Sequence, residues 1–155
     1  MDIGQSHPAG DIRGLRHLAL HVTDRAQSQT FYQTMFQMQV VWQPDEYSVY
    51  LSSGTDNLAL HQISEKDCEQ YRARFPQFLD HFGFLVNSPE AVDRLYQFVQ
   101  AQGAMIVNPP KQHRDGSYSF YLADPDQITI QILFEPTVSM LTLDTSRNAS
   151  IVPSN

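Results

Sequence analysis

The sequence has few of the residues that disulfide-stabilised, nucleic-acid-binding and membrane-spanning proteins need. Its 155 residues include one cysteine, Cys68, which excludes an intramolecular disulfide and a Cys-rich zinc site. Ten Lys and Arg against 17 Asp and Glu give a formal charge of -7, which disfavours nucleic acid and anionic membrane surfaces as partners. There is no apolar run of the roughly 18 residues that a membrane span needs, and no secretory signal pattern. These absences predict a soluble, cytoplasmic protein.

What the sequence does contain is an internal repeat. LRHLALHV at residues 15–22 resembles LDHFGFLV at residues 79–86, so that His17 recurs as His81 after an offset of 64 residues. Further along, YSVYLSSGTDNLALHQ resembles YSFYLADPDQITIQIL, and a one-residue gap then aligns His61 with Gln131. Two copies of one structural unit are therefore predicted.

The repeat also predicts the domain organisation. One domain spans residues 15–135 and contains both copies, which are joined by a polar segment. The predicted parts are an N-terminal tail at 1–14, a first module at 15–63, a second module at 79–134 and a C-terminal extension at 136–155.

Each copy has the pattern of a strand, a helix and three further strands. In the first copy Leu18, Leu20 and Val22 alternate with His17, Ala19 and His21, and this period of two predicts a strand. Thr23 or Asp24 is predicted to cap the first helix, and Ser88 the second. The buried stripe of the second helix is predicted to be Val92, Leu95, Phe98 and Val99, with Gly103 ending the helix. The fold class is α+β, with two βαβββ modules in tandem forming a half-barrel cleft.

The strand faces opposite the helices carry the candidate metal ligands. A strand puts His17 and His21 on one face but roughly 13 Å apart, so the two cannot hold one ion between them. The donors at repeat-equivalent positions are instead His17, His61, His81 and Gln131. A histidine on an apolar strand is more often a hydrogen-bonded core or cleft residue, but recurrence at matching positions favours a metal site. The counterpart of His21 is Leu85, which makes His21 a candidate residue of a substrate cleft.

These segments resemble the vicinal oxygen chelate superfamily, which includes glyoxalase I, bleomycin-resistance proteins, fosfomycin-resistance transferases and extradiol ring-cleavage dioxygenases. The resemblance covers about residues 15–135 and depends on LRHLALHVTD, LALHQ, LDHFGFLV and FYLADPDQITIQI. It implies paired βαβββ modules around a divalent metal ion, Fe(II), Mn, Ni or Zn, with its ligands at His17, His61, His81 and Gln131. A homodimer is compatible with the family.

Within the superfamily, HRDGSYSFYLADPDQITIQ is most similar to the signature of the extradiol dioxygenases. That resemblance implies that His113 is an acid or base near the substrate and that Tyr121 hydrogen-bonds a substrate oxygen. Gln131 replaces the carboxylate of the usual two-His, one-carboxylate set, and Gln127 replaces the usual glycine of the preceding turn. The alternative for His113 is an exposed hairpin turn, since Asp-Gly follows it closely. Arg114 is a candidate for attracting an anionic substrate.

Two other functions stay open. A glyoxalase I-like lyase or isomerase needs a general base, which that family supplies from a glutamate at a metal position, and none of the four positions here is acidic. A non-catalytic binding protein of the bleomycin-resistance type would use the same histidines to line a ligand cleft without metal. Metal content discriminates between an enzyme and such a binder.

Overall fold

The structure, a computed structural model, describes residues 14–73 and 79–137. The predicted tail at 1–14 and extension at 136–155 lie almost entirely outside the described residues. The chain divides into two compact units at the boundary between residues 77 and 78, and each is described by itself below. None of the helices in the described ranges is long and apolar enough to cross a membrane.

The first unit contains one helix packed on a four-stranded sheet, followed by a second helix. Its elements are β1 (His17–Val22), α1 (Arg25–Phe36), β2 (Gln39–Trp42), β3 (Ser48–Ser52), β4 (Asn57–Gln62) and α2 (Glu65–Ala73). The strand order is β1-β4-β3-β2, with β1 parallel to β4 and the other neighbours antiparallel. The helix α2 lies in the segment that the sequence analysis assigned only as a polar connection.

The second unit repeats this arrangement. Its elements are β5 (Phe82–Leu85), α3 (Pro89–Ala101), β6 (Met105–Gln112), β7 (Tyr118–Ala123) and β8 (Thr129–Phe134). The strand order is β5-β8-β7-β6, again with the outer strand β5 parallel to β8. The prediction of an α+β fold with tandem βαβββ modules is confirmed, and each sheet is open rather than closed into a barrel.

Local signals placed the helices correctly. Asp24 caps α1 by accepting a hydrogen bond from the Gln27 amide at 2.9 Å, and Ser88 caps α3 by accepting one from Ala91 at 3.2 Å. Gly103 follows α3 with φ +78°, the left-handed conformation that commonly ends a helix. Phe98 corrects the predicted buried stripe, because its side chain is 40% exposed at the edge of the helix face.

The core of each unit lies between the helix and one sheet face. In the first unit α1 packs against β3 and β4, and in the second α3 packs against β6, β7 and β8. The buried core side chains of the first unit include Leu20, Val22, Tyr32, Met35, Val49, Leu51 and Leu60, and those of the second include Val92, Val99, Phe120, Leu122, Ile130 and Ile132. The predicted site residues that belong to strands lie on the opposite side of each sheet, called the distal face below: His17, His21, His61, Tyr121 and Gln131.

Candidate functional site

A connected polar network occupies the distal face of the second unit. The amide nitrogen of Gln131 donates hydrogen bonds to the Tyr121 hydroxyl at 2.8 Å and to the Ser119 hydroxyl at 3.0 Å. The Ser119 Oγ also lies 2.9 Å from Nε2 of His113. The ring of His81 packs edge-on against Tyr121, with ring centroids 5.4 Å apart. Four side chains that the sequence singled out in the second copy therefore share one cluster, which His113 joins through Ser119 and His81 through Tyr121.

Ser119 is the functional residue that the sequence analysis missed. Its position two residues before Tyr121 on β7 puts both side chains on the same sheet face. The repeat offered a further signal, since the equivalent residue of the first copy is Ser48, whose hydroxyl also contacts a histidine, His61.

The two repeat-equivalent histidines have the same hydrogen-bonding arrangement. In the first unit Nδ1 of His17 lies 2.7 Å from Oδ1 of Asn57, and in the second Nδ1 of His81 lies 2.5 Å from a carboxylate oxygen of Asp80. Both partners offer an oxygen acceptor, so each ring donates from Nδ1, and in its neutral form the lone pair is on Nε2. A histidine held in this way is oriented to ligate a metal ion through Nε2.

The turn before β8 positions Gln131. Asp124 is 3% exposed, and its Oδ1 accepts backbone hydrogen bonds from Asp126 at 2.9 Å and Ile128 at 2.8 Å. Gln127 adopts φ +66°, the left-handed conformation in which a glycine would be strained less. Gln127 therefore replaces the usual glycine of the family without loss of the turn that leads into β8, the strand that carries Gln131.

Gly83 lies on the strand next to Gln131, at a position where a side chain would be tightly packed. Gly83 pairs with Gln131 in the parallel register of β5 and β8. A Cβ at this glycine would lie 3.0 Å from the Gln131 carbonyl oxygen and 3.5 Å from its Cβ. The absence of a side chain at Gly83 leaves room beside Gln131.

The strand register of the first unit corrects the alignment of the two copies. Ala19 pairs with Ala59 in β1 and β4, as Gly83 pairs with Gln131 in the second unit, and Tyr50 pairs with Ala59 as Tyr121 pairs with Gln131. Ala59, not His61, is therefore the structural equivalent of Gln131. The second copy is one residue longer in the β7–β8 connection, whereas the alignment from sequence similarity made it one residue shorter.

The same register separates His61 from His17. His17 pairs with Asn57, whereas His61 pairs with His21, four residues further along both strands. Four residues of strand span roughly 13 Å, which is too far for two imidazoles to share one ion on a single sheet face. Within this unit the structure brings His61 together with His21 and not with His17.

The rings of Trp42, Tyr50 and His61 pack one against the next and form an aromatic row. Nδ1 of His61 lies 3.1 Å from the Ser48 hydroxyl, and the His61 ring packs edge-on against Tyr50 at a centroid distance of 5.7 Å. Tyr50 in turn packs against Trp42 at 4.8 Å, and the Trp42 side chain is 58% exposed. The distal face of the first unit is consequently more aromatic than that of the second.

His113 lies in a hairpin turn, as the alternative interpretation predicted, and its ring nevertheless joins the network. The His113 amide donates to the Ser117 carbonyl at 2.8 Å, and Gly116 completes the turn with φ +86°. Hydrogen bonds from the Ser117 hydroxyl and backbone amide lower the pKa of Asp115, with a smaller contribution from the charge of His113. Arg114 is exposed in the same turn.

Each unit by itself has donor side chains of a kind that divalent transition metals accept. Over the described ranges, no three His, Cys, Asp or Glu side chains form a group that could hold an ion. Smaller sets of donors are nevertheless present in each unit. The first unit has the imidazole nitrogen of His17. The second unit has the imidazole nitrogen of His81 and the amide oxygen of Gln131. Imidazole suits Fe, Ni and Zn, while a neutral amide binds a cation more weakly than the carboxylate it replaces.

Comparison with known proteins identifies the family. The model of the glyoxalase/bleomycin resistance protein/dioxygenase superfamily matches residues 14–132, and the chain belongs to this superfamily. Proteins of this superfamily bind small-molecule substrates. A comparison with curated proteins gives no match.

Several solved structures share the fold. A lactoylglutathione lyase from Agrobacterium tumefaciens is 19% identical, with 84% of this chain and 99% of that chain covered and a TM-score of 0.65. The fosfomycin resistance protein FosX from Listeria monocytogenes is 18% identical, with coverages of 84% and 99% and a TM-score of 0.66. A glyoxalase/bleomycin resistance protein/dioxygenase from Alicyclobacillus acidocaldarius is 20% identical, with coverages of 83% and 97% and a TM-score of 0.63. At these identities the similarity establishes the fold and no particular activity.

Proposed function

We propose that the protein is a divalent-metal-dependent enzyme of this superfamily that acts on a small, oxygen-rich substrate in the manner of the extradiol ring-cleavage dioxygenases. His17 and His81 are the proposed nitrogen ligands, through Nε2, and Gln131 is the proposed oxygen ligand. His113 and Tyr121 are the proposed catalytic residues, and Arg114 is the proposed contact for an anionic group of the substrate.

The observation that supports this choice is the register of the first unit. Because Ala59 is the equivalent of Gln131, and His61 lies four residues away from His17 along the paired strands, the donor set reduces to two histidines and one side-chain oxygen. Two histidines with one oxygen ligand and open positions are typical of non-haem Fe(II) oxygenases, in which the oxygen ligand is a carboxylate. A set of four ligands, as the sequence alignment predicted, would leave less room for a bidentate substrate.

The hydrogen bonds of the polar network on the second unit indicate which of its side chains can donate a proton to a substrate and which can accept one. When bound, a metal ion at these donors would supply a template for the substrate and a Lewis acid for its oxygens. The Tyr121 hydroxyl accepts from the Gln131 amide, so its own proton is available for donation to a substrate oxygen. The Ser119 hydroxyl likewise accepts from Gln131 and donates towards Nε2 of His113, which keeps the neutral ring protonated on Nδ1. His113 can therefore accept a proton at Nε2.

Proton abstraction of the glyoxalase I type has less support. That chemistry needs a base at the reacting carbon, and the family supplies it from a carboxylate at a metal position. The corresponding positions here hold His17, Ala59, His81 and Gln131, none of which is acidic. The similarity to a lactoylglutathione lyase extends to the fold and does not restore the missing carboxylate.

The exposed aromatic row favours a second candidate, a non-catalytic small-molecule binder. Trp42 and Tyr50 present two neighbouring rings, tilted by 37° to each other, on the distal face of the first unit, and a planar ligand can lie against them. This function needs no metal, and metal content separates it from the enzyme.

The test is metal analysis of the tag-free chain, purified without chelators, beside His81→Ala and His113→Ala. We expect the wild type to bind Fe(II) and, with dioxygen as the oxidant, to convert a catechol to a yellow ring-opened product. His81→Ala should lose this activity and the Fe(II) that supports it, whereas His113→Ala should keep that Fe(II) and lose activity. A wild-type chain that contains no metal and binds none on titration would refute the enzyme. Binding of Fe(II) without ring opening of any catechol would refute the dioxygenase assignment.

A further inference from the structure

Two histidines of the first unit are direct neighbours on adjacent strands. His21 on β1 and His61 on β4 are paired in the parallel register, so both side chains leave the same face of the sheet. Neighbouring strands lie about 4.8 Å apart, which brings paired side chains close enough for both imidazoles to reach one ion. Sequence spacing conceals this pair, because the two residues are 40 positions apart and His21 has no histidine at its repeat position.

The surroundings of His61 leave one nitrogen for a ligand. The Ser48 hydroxyl contacts Nδ1 at 3.1 Å, and the edge-on ring of Tyr50 fixes the plane of the imidazole. Orientation of one ring nitrogen by a hydrogen bond leaves the other, Nε2, as the metal-binding atom. His61 is half-buried and His21 is exposed, so a dissolved ion can reach the pair.

We propose that His21 and His61 form a two-imidazole site for a divalent transition metal ion, distinct from the donors of the proposed function. Two neutral nitrogen ligands select Ni²⁺, Cu²⁺ or Zn²⁺ over the hard cations Mg²⁺ and Ca²⁺, which need several oxygen ligands. Zn–N bonds of about 2.1 Å require the two Nε2 atoms to lie about 3 to 3.5 Å apart, a separation that paired strands can provide. Solvent water completes the coordination of the ion.

The experiment titrates Ni²⁺ into the tag-free full chain carrying His17→Ala and His81→Ala, which removes both histidines proposed for the catalytic metal. We expect this double variant to bind one equivalent of Ni²⁺ by calorimetry and to bind no Mg²⁺. Adding His21→Ala or His61→Ala should abolish the binding, and adding His113→Ala should leave it unchanged. Ser48→Ala should weaken it about tenfold, since only the orientation of His61 is lost.

A spectroscopic readout shows which rings bind. On addition of Zn²⁺, the imidazole proton resonances of His21 and His61 should shift together, while that of His113 should not move. The inference is overturned if the double variant binds no Ni²⁺, or if its binding survives both His21→Ala and His61→Ala. Either failure leaves the proposed function intact, because that function is tested by metal and activity that depend on His81.

Discussion

The two units share a backbone arrangement and differ at the centre of the distal face. In the first unit that position is occupied by two alanines, Ala19 paired with Ala59, and in the second by Gly83 paired with Gln131. The first unit therefore has no side-chain donor at this point, and the second has a glutamine that organises a network with Tyr121. Strand order and helix packing are conserved between the copies, so the fold does not require either choice.

The two units also differ in the polar groups that orient the histidine and hold the turn before the last strand. The second unit orients its histidine with the carboxylate of Asp80 and holds its turn with the buried carboxylate of Asp124. The first unit uses the neutral amide of Asn57 and the more exposed carboxylate of Asp56. We infer that the second unit is the more specialised of the two for catalysis.

The largest expected difference between the units is the stability lost when the carboxylate that holds the turn before the last strand is removed. Asp124→Ala removes the acceptor of two backbone hydrogen bonds at a buried site and should destabilise the protein by about 3 kcal/mol. Asp56→Ala in the first unit removes the acceptor for the Ser53 amide and hydroxyl in a more exposed turn, and should cost about 1 kcal/mol. Urea denaturation of both variants measures the contrast, and equal losses would show that burial of Asp124 does not matter.

The second prediction compares the partners of the two histidines. Asp80→Asn should weaken Zn²⁺ binding about tenfold, because the carboxylate orients the His81 ring through its contact with Nδ1. Asn57→Ala should have a smaller effect, since an amide oxygen is the weaker acceptor for the His17 ring. Both titrations are made in the His21→Ala background, so that the proposed pair with His61 does not contribute. A larger loss for Asn57→Ala would reverse the assignment of the more specialised unit.

The third prediction concerns the helices. Ser28 in α1 is fully buried, and over the described ranges its hydroxyl has no hydrogen-bond partner. The equivalent residue of α3, 64 positions later, is the buried Val92. Ser28→Ala should stabilise the protein by about 1 kcal/mol, as it removes an unpaired polar atom and adds a better helix former. A loss of stability in thermal unfolding would indicate that the hydroxyl has a role, and Val92→Ser serves as the destabilising control.

The smallest effect is a pH dependence at high pH. Tyr118 donates a hydrogen bond from its hydroxyl to Asp93 of α3 at 2.8 Å, and this bond raises the pKa of the Tyr118 phenol. The stabilisation is fully present below the unfolded pKa of about 10 and is lost as the pH rises through the higher folded pKa. Unfolding curves of wild type and Tyr118→Phe should therefore converge above that pH. Curves that stay parallel would contradict the contribution of this bond.

In Tyr47, the counterpart of Tyr118, the pKa is also raised, first by a hydrogen bond with the adjacent Glu46. That contact is between sequence neighbours and does not connect the helix to the sheet. Tyr47→Phe should consequently leave the high-pH stability of the first unit almost unchanged, which makes it the matched control.

Much of the fold could be predicted because its signals are local. A period of two in LRHLALHV, the caps Asp24 and Ser88, and the glycine after α3 depend on a few neighbouring residues and on backbone geometry. The repeat then predicted the second unit from the first, and the superfamily is confirmed.

The arrangement of the candidate site could be predicted only in part. The sequence indicated His113, Tyr121 and Gln131, but it did not indicate Ser119, whose recurrence as Ser48 says nothing of the contacts that it makes with His113 and Gln131. His61 was aligned with Gln131 because a one-residue gap can be placed in either copy with little change in sequence similarity. Only hydrogen-bonded pairing fixes that choice, since a shift in register changes every neighbour of the strand.

The sequence by itself determined that two βαβββ copies exist and that His17 and His81 are equivalent, because periodicity, caps and recurrence are properties of the chain. The tertiary structure decided which side chains face one another across the strands. It paired His61 with His21 and put Ala59 at the position of Gln131. The physical reason is that register is set by the pairing of whole strands, in which residues distant in sequence compete for the same hydrogen bonds.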